Sequence, residues 1–255
     1  DWEMLINQGL QARYDLCQEK LKSVKAKAKK DFLRSVIITI DAVKDLAERY
    51  AKEAEKVGNI EIANVFKQVP MKPARTLQEA MQSIRLISSM LYFAGCAHIG
   101  LGRMDQYLYP FYKNDLQNKV LTKQAAYNLF AEFFIAFNRD TDTYFGVQQG
   151  DNGQTVMLGG CKADGSGAIN ELTYLMIDVS SQVKLIDPKI NLRIDKNTPQ
   201  DLLKAGCLLT KCGLGFPQYS NDDVVIPALI KAGYSVEDAR NYTVAACWEF
   251  VIPSK

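Results

Sequence analysis

Histidine is nearly absent from this chain, and its cysteines lack the spacing of a metal site. The 255 residues include one histidine and six cysteines, and no two cysteines form a Cys-x-x-Cys motif. A structural zinc site needs several cysteine or histidine ligands at short spacings, so we expect no bound metal ion. Scattered cysteines in a chain of this length favour a reducing compartment, and we expect a cytoplasmic protein.

Long apolar runs and a strong excess of one charge are also missing. No apolar segment reaches the roughly 18 residues that a membrane span needs, and no signal peptide is visible. The net charge is +2, with 47% hydrophobic and 24% charged residues, which is typical of a soluble globular protein. The lysine-rich stretch 20–30 contains no aromatic residue, and we interpret it as a solvated helix face. We therefore expect neither nucleic acid nor a membrane as a partner.

The period of the hydrophobic pattern changes near Gly150. Before it, apolar residues recur at helical spacing, and Thr122 has the position of an N-cap for a helix through Phe137. After it, short apolar segments alternate with helical stretches. Strands are expected at 155–158, 189–194, 215–219 and 242–246, and helices at 170–183, 199–211 and 222–231. This alternation predicts an α/β fold with parallel strands and outer helices, divided into a mainly helical part, 1–150, and a β/α part, 151–255.

A thiol and a carboxylate lie two residues apart near the end of the chain, in Ala246-Cys247-Trp248-Glu249. In a strand, residues i and i+2 face the same side, so Cys247 and Glu249 would point into one cavity at a strand end. That pairing suits a nucleophile or radical carrier beside a proton-transfer group. A buried cysteine is also a common small hydrophobic core residue, and the spacing alone leaves both interpretations open.

Further segments show a common pattern and occur in a fixed order along the chain: Pro73–Ala80, Leu101–Pro110 (read as LGR-x-DQYLYP), Leu158–Gly160, Asp164–Gly165, Asn170–Tyr174, Asn191–Pro199 and Asn221–Ala228. They resemble segments of the glycyl radical enzymes, the pyruvate formate-lyase-like superfamily. Cys247-Trp248-Glu249 is similar to the Cys-x-Glu active-site loop of that family. The resemblance runs along nearly the whole chain.

The resemblance implies a particular architecture and set of partners. The family fold is a ten-stranded β/α barrel made of two half-barrels. This chain resembles the central part of that fold, which consists of outer helices and a half-barrel segment that ends in the cysteine loop. The family's radical is held on a glycine in a C-terminal Arg-Val-x-Gly loop and is installed by a radical-SAM activating enzyme. That motif is absent here, so the remainder of the enzyme would supply it in cis or in trans. The resemblance implies no cofactor bound by this chain itself. It does imply a homodimer, anaerobic chemistry and a small-molecule substrate.

The same resemblance implies roles for individual residues. Cys247 matches the thiyl radical carrier, and Glu249 matches the acid/base residue of the dehydratase and lyase branches, where enclosure would raise its pKa. His98 matches a substrate-contacting histidine. Gly153 falls where several relatives carry a pocket phenylalanine, which implies either a larger cavity or room for a polar group here. The neighbouring Gln154 would face the substrate.

Two departures from the family pattern bear on the reaction. Pyruvate formate-lyase itself has two adjacent cysteines in this loop, whereas Ala246 precedes Cys247 here, which argues against pyruvate cleavage. Many dehydratase-branch loops read Cys-Val-Glu-Pro, and Trp248 and Phe250 stand in the Val and Pro positions here. The substrate is therefore left open.

Three functions follow from these patterns. The first is a fragment or subunit of a glycyl radical lyase or dehydratase, which cleaves a C–O, C–N, C–S or C–C bond by thiyl-radical hydrogen abstraction and is inactive as this isolated chain. The alternative is a non-catalytic half-barrel scaffold or partner subunit. The third, Cys247 as an ionic nucleophile, is disfavoured because His98 is distant in sequence. The chain begins at Asp1 without Met, and we expect the native start to lie elsewhere.

Overall fold

The computed structural model describes residues 1–96, 98–139 and 153–253. The chain divides into two compact units, Asp1–Met90 and Leu91–Lys255. The sequence predicted a change of structure between residues 150 and 151, and that position lies outside the described residues. The boundary between the two units of the structure follows Met90, and the predicted boundary stays a prediction.

The first unit is helical. It contains α1 (Trp2–Ser23), α2 (Lys27–Lys56), α3 (Ile60–Gln68) and the beginning of α4 (Leu77–Phe93). Polar side chains define two of the starts: Asp1 accepts a hydrogen bond from the Met4 N–H, and Asn59 accepts one from the Ile62 N–H, as N-caps do. The buried positions of α2 are spaced by three, four and seven residues, which places them on one face: Leu33, Ile40, Val43, Ala47, Ala51 and Ala54.

The second unit alternates strands and helices. Its elements are β1 (Gly100–Gly102), α5 (Met104–Tyr107), α6 (Tyr109–Gln117), α7 (Lys123–Asn138), β2 (Thr155–Gly159), α8 (Glu171–Val183), β3 (Lys189–Ile194), α9 (Gln200–Thr210), β4 (Gln218–Asn221), α10 (Asp222–Lys231), α11 (Val236–Arg240), β5 (Thr243–Ala245) and β6 (Glu249–Val251). None of the helices in the described ranges is long and apolar enough to cross a bilayer.

The central sheet has the order β1-β2-β3-β4, and all its neighbouring strands are parallel. Thr155 pairs with Lys189 and Asn191 pairs with Gln218, so the amino ends of the strands share one edge. Every residue of β2 is buried, as expected for a parallel strand covered on both faces. The predicted parallel β/α arrangement after residue 150 is therefore confirmed for β2, β3 and β4.

The sequence-based prediction missed one strand and was wrong about the place of another. β1 lies within the region predicted to be mainly helical and was not predicted; with three residues, two of them glycine, it is too short to show a strand period. The last predicted strand does not join the parallel sheet. It forms β5, which pairs antiparallel with β6 in a separate hairpin.

The segment Leu101–Pro110 connects three elements of the second unit. The Asp105 carboxylate is fully buried and accepts hydrogen bonds from the Gly159 N–H (2.8 Å) and the Thr173 hydroxyl (2.6 Å). Burial raises its pKa, and these two hydrogen bonds partly offset the shift. The carboxylate therefore joins α5 to the end of β2 and the start of α8, and this part of the motif has a structural role.

Candidate active site

Cys247 lies at the tip of a tight hairpin. β5 and β6 pair through Ala245 and Glu249, and the turn between them consists of Ala246, Cys247 and Trp248. Ala246 opens the turn with φ +49°, a left-handed conformation that a non-glycine residue adopts at some cost. The predicted strand geometry for Cys247 and Glu249 is replaced by this turn, which still brings the two residues together.

The hairpin tip lies at the amino edge of the parallel sheet. The Thr155 hydroxyl, at the first residue of β2, donates a hydrogen bond to the carbonyl oxygen of Ala246. A Cβ on Gly100, at the first residue of β1, would lie 3.3 Å from the Ala245 Cβ. The other end of β5 lies at the carboxyl edge, where the hydroxyl of Tyr242 donates to Asp222 directly after β4. β5 thus crosses the sheet and presents the turn where β1 and β2 begin.

The Glu249 carboxylate folds back over the turn. Its Oε2 accepts hydrogen bonds from the backbone N–H groups of Cys247 and Trp248, each at 3.0 Å. The thiol and the carboxylate therefore share one tip, and in this chain both residues are exposed. The expected rise in the pKa of Glu249 is not found. Backbone N–H groups of Glu249 itself, Trp248 and Cys247, together with the nearby His98, lower its pKa, so the carboxylate is ionised at neutral pH.

The structure places His98 against Gly153. A Cβ at position 153 would clash with Cδ2 of the imidazole and lie 3.0 Å from its Cγ. Gly153 has φ +68° and His98 has φ +59°. The predicted glycine therefore makes room for the predicted histidine. The imidazole lies close enough to Glu249 to contribute to the lowering of its pKa.

Gln154 lies deeper than predicted. It is fully buried, its backbone N–H donates to Asp187 Oδ1 at 3.1 Å, and its side-chain Nε2 donates to the hydroxyl of Tyr92. Its Oε1 has no hydrogen-bond partner among the described residues. A buried amide oxygen normally accepts a hydrogen bond, so the Gln154 side chain can still accept one.

The comparisons with known proteins match the whole chain to one family. The model of the family described as "Pyruvate formate lyase-like" matches residues 1–255. The chain belongs to the pyruvate formate lyase-like family. Trans-4-hydroxy-L-proline dehydratase of Clostridioides difficile is 30% identical over 90% of this chain, and isethionate sulfite-lyase of Bilophila wadsworthia is 29% identical over 100% of it.

Solved structures of this family show the same fold. The glycerol-bound B12-independent glycerol dehydratase of Clostridium butyricum superimposes with a TM-score of 0.90 at 29% identity, covering 100% of this chain and 35% of that chain. A solved structure described under 1,2-propanediol dehydration in Roseburia inulinivorans superimposes with a TM-score of 0.90 at 30% identity, with the same coverage of both chains. The chain also spans about a third of the curated relatives, 31% and 34% of their lengths. Its fold therefore matches about a third of each of these solved chains.

The sequence patterns did not indicate two residues of the candidate site. Tyr92 lies in the last turn of α4 within an apolar run, where a tyrosine signals only a buried ring with a polar end. Thr155 begins a buried strand. The only sign of its role in the sequence is a polar hydroxyl at the start of an apolar run. Within the described ranges, no three His, Cys, Asp or Glu residues are grouped closely enough to hold a metal ion.

We expect Gly153→Ala to displace His98. The added Cβ meets the imidazole, and at positive φ it also costs about 1–2 kcal/mol of backbone strain. Gly213 is a matched control, because its φ is +78° and a Cβ there would meet nothing within 4 Å. Because His98 is the sole histidine, its imidazole NMR signals are unambiguous. Gly153→Ala should shift them and lower the Tm more than Gly213→Ala; equal Tm losses with unchanged imidazole signals would contradict the described packing.

Proposed function

We propose that this chain is the thiol-bearing part of a glycyl radical lyase or dehydratase acting on a small molecule. The observation that carries the proposal is the Glu249 carboxylate folded over the turn that bears Cys247. One hairpin tip therefore offers a hydrogen-atom carrier and an ionised base to the same substrate. The relatives of this chain are dehydratases and lyases, and their activities motivate the reaction class.

The proposed chemistry divides between the two side chains. A glycyl radical held outside this sequence supplies the initial abstraction of hydrogen. Cys247 gives up its thiol hydrogen atom and, as a thiyl radical, takes a hydrogen atom from a substrate carbon, which requires close and aligned contact. Glu249 accepts the proton of a neighbouring substrate hydroxyl as the leaving group departs with its bonding electron pair. The Cys247 thiol then returns a hydrogen atom to the product radical.

Three further residues would shape the substrate pocket. His98 lies near Glu249, and its proposed role is to contact a polar group on the substrate. Gly153 leaves the space that the imidazole occupies. Gln154 Oε1, which has no partner among the described residues, can accept a hydrogen bond from a hydroxyl or ammonium group. The pocket would therefore favour a polar substrate.

The exposed apolar side chains of the hairpin support a further part of the enzyme as partner. Trp248, Phe250 and Val251 are 52%, 44% and 40% exposed, and adjacent exposed apolar side chains mark surfaces that another segment covers. We propose that the remainder of the enzyme, which carries the glycine loop, covers these side chains in cis or in trans. A radical-SAM activating enzyme, a homodimer and an anaerobic cytoplasm belong to the same proposal.

This chain alone is expected to give no turnover and no glycyl radical signal, even with an activating enzyme under anaerobic conditions. The sequence has no Arg-Val-x-Gly segment to hold the radical, and Cys247 is open to water. Adding the C-terminal part, in cis or in trans, should produce a doublet-like organic radical in electron paramagnetic resonance. Turnover by the isolated chain would refute the proposal.

Intact-mass measurement of the native protein separates the enzyme from the scaffold alternative. A product that extends well past Lys255, or a co-purifying polypeptide with the glycine loop, is expected for the enzyme. A native product that ends at Lys255 and forms no complex with such a polypeptide would instead favour a non-catalytic half-barrel.

A further inference from the structure

A buried ion pair lies at the carboxyl edge of the sheet, at the opposite end of β5 from Cys247. Arg193, in β3, has no exposed surface, and it binds Asp222 through Nε–Oδ1 and Nη2–Oδ2 contacts of 2.8 Å each. Burying two charges costs free energy that their attraction need not recover. A gain in stability is therefore a weak explanation for this ion pair. Its contacts with other residues indicate which part of the chain it fixes in place.

Those contacts converge on Tyr242. Its hydroxyl donates to Asp222 Oδ1 at 2.7 Å, and its ring centroid lies 4.2 Å from the Arg193 guanidinium carbon. Arg193 Nη1 also donates to the carbonyl oxygens of Arg240 (2.9 Å) and Tyr242 (3.4 Å). The ion pair thus holds the side chain and the backbone of the residue directly before β5.

Gly160 leaves the space for this cluster. A Cβ at that position would lie 2.5 Å from Arg193 Nε and 2.8 Å from Asp222 Oδ2. Gly160 also has φ +72°, which glycine adopts without strain. The loop after β2 therefore approaches the ion pair by its backbone, as the arrangement requires.

β5 connects this cluster to the hairpin tip. The strand has three residues, so Tyr242 and Ala246 are about 13 Å apart along an extended backbone. The far end is held by the Thr155 hydroxyl at the carbonyl of Ala246. The ring of Tyr242 also packs edge-on against Phe250 at 5.6 Å, which ties β6 to the same anchor.

We propose that Arg193, Asp222 and Tyr242 are positioning residues that set the place of Cys247 in the barrel by fixing the base of its hairpin. This inference rests on the proposed function of Cys247. An extended strand fixed at both ends transmits the position of its base to its tip, and a displacement of about 1 Å can cost on the order of 10²-fold in rate.

Tyr242→Phe is the variant that tests the proposal. It removes one hydroxyl and leaves the Arg193–Asp222 pair in place, so the fold is retained. In the complete protein encoded by the gene, we expect kcat to fall by at least about tenfold, with KM within about twofold and the glycyl radical content unchanged. Tyr234→Phe is the matched control, because Tyr234 is a largely exposed tyrosine of the same unit, and it should leave kcat unchanged.

A second measurement does not depend on turnover. Alkylation of each cysteine by iodoacetamide, followed by peptide mass spectrometry, should show a several-fold change at Cys247 in Tyr242→Phe, with Cys96 and Cys207 unchanged. An unaltered rate at Cys247, or equal changes at all cysteines, overturns the positioning role. If the unsubstituted complete protein forms no radical, the proposed function fails, while this alkylation experiment still decides whether Tyr242 positions Cys247.

Discussion

Replacing Cys247 by alanine is expected to abolish turnover in the complete, radical-loaded protein while the glycyl radical persists. The radical would be stored on glycine and only relayed through the thiol, and alanine has no hydrogen atom that can be exchanged with the substrate. The loss should be at least about 10⁶-fold, the lower end of enzymatic rate accelerations. Product formation and the electron paramagnetic resonance spin count should be measured on the same anaerobic sample.

The other exposed cysteines provide the control for this substitution. Cys96 and Cys207 are exposed free thiols like Cys247, but neither belongs to the hairpin. Cys96→Ala and Cys207→Ala should keep both the radical and full turnover. A radical-loaded Cys247→Ala protein that still converts substrate would remove this residue from the mechanism.

Glu249→Gln is expected to lower turnover by about 10²–10⁴-fold, the usual contribution of proton transfer by a positioned side chain. That loss corresponds to roughly 3–5 kcal/mol in the barrier. The amide oxygen of glutamine can still accept the hydrogen bonds from the Cys247 and Trp248 N–H groups, so the turn should keep its shape. What the variant loses is the ability to take a proton from the substrate.

Two measurements separate this loss of chemistry from a loss of structure. The glycyl radical content and the Tm of Glu249→Gln should both equal those of the unsubstituted protein. Glu237→Gln, which removes an exposed carboxylate of α11, should have no effect on turnover. A Glu249→Gln protein with kcat within about twofold of the original would assign the proton transfer to another group.

Local signals were sufficient for most elements of the second unit. The Thr122 cap places the start of α7, and the run Lys189–Ile194 matches the bounds of β3. Both cases combine a cap or an apolar run with enough length for the period to show. The helices predicted at 170–183 and 222–231 are also confirmed, as α8 and α10.

The remaining features depend on strand pairing, turn geometry and tertiary contacts that the hydrophobic period does not show. The direction of β5 is set by its partner β6 and by Thr155, more than 80 residues upstream, and neither contact shows in the local pattern. The clash that ties Gly153 to His98 is likewise a tertiary contact. The lowered pKa of Glu249 follows from a turn whose backbone N–H groups point at one oxygen, and a strand geometry would not have produced it.

The most direct test of the central claim is a structure of the complete protein with its substrate. We expect the Cys247 sulfur within about 3–4 Å of the substrate carbon that loses hydrogen, and a Glu249 oxygen about 2.6–3.2 Å from a substrate hydroxyl. The hairpin tip should be enclosed by the part of the protein that carries the radical glycine. A complete assembly in which either side chain faces bulk solvent outside the barrel, with substrate bound elsewhere, would contradict the account.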